Sequence, residues 1–146
     1  MLIYNKYLKE LGYKKSDFPF KKEDDRYNLD KEYGVVEAQT WNLNNTIILE
    51  LYTYLRNFQE RFMHYGTPIC FVEKFENGKV KHIDGGEKDW HNIIQQIIDG
   101  LKAYLTAQEK FQFASSDEDR AEQDRLYKQF EEAWKLLGDN IGYLWW

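Results

Sequence analysis

Glu60 and His64 stand four residues apart, and so do Glu87 and His91. A carboxylate and an imidazole at that spacing share one face of a helix, where together they could hold a divalent cation. Helical two-metal sites, however, use a Glu-x-x-His spacing and draw further glutamates from other helices. Here the spacing differs and no third helix supplies an inward carboxylate. The pairs are therefore expected to be surface pairs, with no metal and no cofactor. The enzyme alternative is a metal-assisted one through His64, His91 and their glutamates Glu60 and Glu87.

Nucleophilic chemistry has little to draw on. Cys70 is the single cysteine, it has no histidine in local register, and it sits in the apolar run Ile69-Cys70-Phe71-Val72. The expectation is a buried structural thiol, neither a disulfide framework nor a zinc site. Ser115 and Ser116 suit helix capping. Gly85-Gly86 is too short for a phosphate loop, and Glu87 follows it. No catalytic set results. The remaining candidates are ligand-binding: Arg56 and Arg61 to grip an anion, with Tyr52 and Tyr54 to stack on a base. Ordinary surface arginines are the simpler reading of the same residues.

The elements that must position these residues follow from periodicity. Ile3, Tyr4, Tyr7, Leu8 and Leu11 mark a short helix closed by Gly12. Residues 13–34 are polar and of mixed charge, which reads as an arm pinned by Phe18, Phe20, Tyr27 and Tyr33. Asn42 or Asn44 can cap a helix with Trp41 as hydrophobic staple. Ile47, Leu51, Leu55, Phe58 and Phe62 then form its apolar stripe, and Gly66 and Pro68 stop it. Asn77-Gly78 between short β-prone runs predicts a hairpin at about 69–83. A second long helix begins near Glu87 with the stripe Trp90, Ile93, Ile94, Ile97, Leu101, Tyr104 and Leu105. Gly100 within it costs about 1 kcal/mol relative to Ala, so a close helix approach is expected there. Ser115 and Glu118 have capping-box spacing for a third helix. Its stripe is Leu126, Phe130, Ala133, Trp134, Leu137, Ile141 and Trp145, with a bend or break at Gly138 and exposed pairs Asp124–Lys128 and Glu131–Lys135.

The fold expected is thus mainly α: a three-helix bundle-like domain over 34–146 with a small β-hairpin, preceded by a short helix and arm over 1–33. A chain of 146 residues can bury a real core as one domain. A net charge of −5 argues against general nucleic-acid binding. No run reaches membrane-spanning length and the N-terminus lacks a signal-peptide stretch, so a cytoplasmic protein with no membrane partner is expected. Aromatics are the excess: five Trp, eleven Tyr and nine Phe make 17% of the chain, more than stripes and staples account for. Tyr143 and the terminal Trp145-Trp146 are candidates for an interface, including a homo-oligomeric one.

Thr40-Trp41-Asn42-Leu43 leading into a helix, Gly66-Thr67-Pro68, Trp90 with Ile93 and Ile94, and Leu144-Trp145 form a pattern from about Tyr33 onward. It resembles a group of small uncharacterised proteins of tailed bacteriophages. One departure is Thr53-Tyr54, where the group carries a Pro-Arg pair in the first helix. The resemblance rests on core and cap positions, so it implies a fold and a phage origin and carries no catalytic residue. The function expected is a phage-type accessory protein acting by non-catalytic binding in the host cytoplasm. Counter-defence is the setting, either by sequestering a nucleotide signal or by blocking a host protein. An oligomeric virion structural or assembly protein is the alternative.

Overall fold

The computed structural model describes residues 3–17, 27–37, 40 and 42–144. They fall into two compact units, Met1–Tyr54 and Leu55–Trp146. Helix makes up 68% of the structure, so the mainly α class holds.

In the first unit, α1 spans Lys6–Glu10. Asn5 begins it by accepting hydrogen bonds from the amides of Tyr7 and Leu8, and Gly12 follows at φ +94°. Tyr7 and Leu8 are its buried face. The expected arm contains a tiny antiparallel hairpin, β1 (Leu29–Asp30) with β2 (Val35–Val36). Asp30 shapes its turn: its carboxylate accepts from the amides of Glu32 and Tyr33 at 2.9 and 3.1 Å. Two-residue strands are too short for any periodicity to announce them.

Helix α2 runs Leu43–Arg61 across the unit boundary. Its buried residues are Ile48, Leu49, Tyr52 and Leu55, whereas Ile47 is 40% exposed and Phe62, just past its end, 48%. The expected stripe is therefore rotated by one residue. Ile48, Tyr52 and Leu55 keep the helical period as well as Ile47, Leu51 and Leu55 do, and tyrosine reads as either core or surface. The Trp41 staple lies outside the described residues.

The second unit is organised by α4 (Gly86–Lys110) and α5 (Asp117–Asn140), which pack as an antiparallel pair. Of the expected stripe, Trp90, Ile94, Ile97, Leu101, Tyr104 and Leu105 are buried and Ile93 is half-buried. Gly100 is a point of close approach: a Cβ there would lie 2.0 Å from the Ala133 Cβ and 3.0 Å from the Gln129 carbonyl oxygen. Ala103 and Ala107 continue that small-residue row and cluster with Leu126. Gln108 donates to the Tyr127 hydroxyl at 2.9 Å, and burial, then the nearby Tyr104, pushes the Tyr127 phenol up. On the outer face of α5 Arg125 bonds Glu122 at 2.6 and 2.7 Å, which holds the Glu122 carboxyl below its usual range. The described contacts establish this two-helix pair and not a packed bundle of three.

Three expectations on α5 change. Trp134 is 44% exposed and Ile141 56%, so the buried side narrows to Leu126, Ala133, Leu137 and Asn140. The helix also runs through Gly138 without a break, because one glycine costs less than the packing around it returns. The cap is Ser116, one residue later than expected, and its hydroxyl accepts from the Asp119 amide at 3.0 Å. Ser116→Ala is expected to lower stability by about 1 kcal/mol, and Ser115→Ala by only a few tenths, as urea titration will show.

Candidate partner-binding site

Between α2 and α4 the chain builds a short ribbon. Pro68 leads a single helical turn, α3 (Ile69–Val72), where an apolar strand was expected. Proline has no amide to lose at a helix start, and Phe71 donates to its carbonyl at 2.9 Å. Cys70 on this turn is exposed, not buried, because the turn aims Phe71 inward instead. The Phe71 ring lies 5.2 Å from Trp90 and 5.9 Å, edge-on, from Tyr143. A Cβ on Gly86 would sit 1.6 Å from the Phe71 carbonyl oxygen, so only glycine lets α3 and the first residue of α4 meet this closely.

From α3 extend β3 (Glu73–Glu76) and β4 (Lys79–His82), joined by Asn77-Gly78 with φ of +53° and +78°. Positive φ at both positions gives the turn whose twist suits a two-residue hairpin. The register pairs Glu76 with Lys79, Phe75 with Val80, Lys74 with Lys81 and Glu73 with His82. Side chains alternate across a strand, so the ribbon has two unlike faces. One carries Glu73, Phe75, Val80 and His82. The other carries Lys74, Glu76, Lys79 and Lys81, where Glu76 lies 3.6 Å from Lys74 and 2.7 Å from Lys81.

Every strand residue of this ribbon is exposed, Phe75 to 77% and Val80 to 63%. A two-stranded hairpin is marginal alone in water. Here it is fastened at its base: Ile83 donates to the Val72 carbonyl at 2.7 Å, and Glu73 donates to the Ile69 carbonyl.

A cleft of about 470 Å³ opens beside that base, lined by Val72, His82, Ile83, Gly85, Gly86, Glu87, Lys88 and His91. Thus Glu87 and His91 do face one space, and the hairpin adds His82 to them. That convergence is tertiary, and no spacing along the chain signals it. His82 belongs both to the cleft and to the Phe75–Val80 face, so the two surfaces are continuous. Among the described residues no cluster of His, Cys, Asp and Glu has the geometry to hold a metal ion.

The ligand residues expected on α2 are placed differently from one another. Tyr52 is 4% exposed and offers no ring face to a base, while Tyr54 is 67% exposed. Arg56 is engaged within its own helix, donating to Gln59 at 2.9 Å and Glu60 at 3.4 Å. Gln59 in turn donates to Gln95 at 2.6 Å and Gln95 to Asp99 at 2.8 Å, a polar chain from α2 to α4. Arg61 is exposed, as is His64, whose ring lies 4.0 Å from that of Tyr65. Tyr143 is 42% exposed, and Trp145 and Trp146 lie outside the described residues.

No protein family, curated protein or solved structure matches this chain. No described helix is long and apolar enough to cross a membrane.

Proposed function

We propose that this protein works by binding another protein through the Phe75–Val80 face of its hairpin. The observation that carries this reading is a cross-strand pair of large apolar side chains, 77% and 63% exposed, on a ribbon none of whose strand residues is buried. Apolar groups held out on a fastened ribbon are what an interface uses, and a solvated turn does not need them. The resemblance to tailed-phage proteins supplies the setting: an accessory protein inside an infected cell, blocking a host protein as counter-defence. Sequestration of a nucleotide through α2 is less well supported, since Tyr52 is buried and Arg56 is engaged by Gln59 and Glu60.

The test pairs Phe75→Ser with Val80→Ser. Because both side chains are exposed, the double variant is expected to stay within about 1 kcal/mol of the parent stability, the size of a cross-strand pair. A partner that the parent protein retains from host-cell extract is expected to be lost by the variant. Retention of the same partner by a folded double variant overturns the reading. Thermal-shift screening with cyclic and linear nucleotides checks the other version, and the expected result is no shift.

A further inference from the structure

We propose that the partner is held as a third strand on the outer edge of β4, and that the segment so held alternates acidic and apolar residues. The inference rests on the protein-binding reading above and specifies the partner's chemistry.

The edge follows from the register. A two-residue loop makes its closing pair, Glu76 with Lys79, a hydrogen-bonded one, and antiparallel pairs then alternate. Phe75–Val80 and Glu73–His82 are therefore the non-hydrogen-bonded pairs. The bond from Ile83 to Val72 falls where that alternation requires the next bonded pair. It follows that the amides and carbonyls of Val80 and His82 turn away from β3. No described residue bonds them. On the β3 side the Glu73 amide is already used by Ile69, so β4 is the more complete edge. Open backbone groups spaced two residues apart are what an added strand pairs with.

Charge selects the occupant. Lys74, Lys79 and Lys81 against the single Glu76 leave one face of the ribbon with a surplus of two positive charges, three minus one, in a chain whose net charge is −5. Residues of an added strand that lie beside Lys79 and Lys81 are favoured when acidic, and the residue beside Val80 when apolar. Strand alternation puts those two requirements at successive positions. Beyond His82 the added strand reaches the cleft, where Lys88, His91 and Glu87 line the wall.

The probe is a short synthetic peptide of alternating Glu and Val, set against one of alternating Lys and Val. Amide hydrogen exchange is read residue by residue on the full chain. The Glu-Val peptide is expected to slow exchange at Val80 and His82 about tenfold, as for groups held in a ladder bond nine-tenths of the time. The Lys-Val peptide is expected to leave both unchanged. Lys79→Glu with Lys81→Glu should reverse that preference. Val80→Pro removes an outward donor and no bond to β3, and should abolish the protection at His82. Hairpin signals that move with no slowing at Val80 and His82 overturn strand addition and leave face binding standing. No response to either peptide, with the Phe75→Ser and Val80→Ser result intact, overturns the inference alone. Equal protection by both peptides overturns the charge argument.

Discussion

Replacing Trp90 by alanine is expected to lower stability by about 3–5 kcal/mol, while phenylalanine at the same position is expected to cost about 1 kcal/mol or less. Trp90 is fully buried, with the Phe58 ring edge-on at 6.5 Å and Phe71 at 5.2 Å. It therefore joins the end of α2, the single turn α3 and the long helix α4. Truncation to alanine removes the largest side chain of the core and leaves a cavity between three elements. Phenylalanine keeps most of the ring and so leaves little cavity, and like alanine it removes the indole Nε1, which is buried with no hydrogen-bond partner among the described residues. An unmade bond of that kind costs about 1–3 kcal/mol, so deleting the N–H offsets much of the lost ring area. Urea unfolding of both variants checks the two losses. A loss above about 2 kcal/mol in the phenylalanine variant would show that the N–H is satisfied in solution.

Gly100→Ala should lower stability by up to about 2 kcal/mol although alanine is the better helix former. Propensity favours the substitution by about 1 kcal/mol. The added methyl, however, meets the Ala133 Cβ at 2.0 Å and the Gln129 carbonyl at 3.0 Å, so α4 and α5 must separate. Overpacking of this type costs about 1–3 kcal/mol, and here it wins. Ala133→Gly in the same chain moves the methyl from one helix to the other and should restore part of the loss. The double-mutant cycle therefore has a coupling of opposite sign to either single change. Additive losses would mean that the helices do not touch at this point.

What could be read in advance divides by the range of the interaction. The stripe on α4, the Gly100 approach and the Asn77-Gly78 turn are local or periodic, and each is found where its residues place it. The face of α2 is ambiguous because Ile47 and Ile48 both start a helical stripe and only packing chooses between them. The Ser115 and Ser116 caps differ by one residue for the same reason: two adjacent hydroxyls precede the same acidic run. Cys70 illustrates a different limit. Its apolar neighbours suggest a buried strand, but Pro68 starts a helical turn, and a turn exposes residues that a strand would alternate. The candidate site was legible only in pieces. The hairpin, Glu87 with His91, and the aromatic surplus all stand out in the chain. That Phe75 and Val80 stay uncovered, and that His82 joins His91 at one cleft, depends on where the ribbon is fastened.

The most direct test of a hairpin interface places a photo-crosslinking side chain at position 75, and in a second protein at the exposed position 131 on α5. Irradiation in cell extract is expected to give a discrete adduct from position 75 that is absent from position 131. Its yield should fall when Val80→Ser is added. No adduct from position 75, or the same adducts from both positions, would contradict an interface on this ribbon.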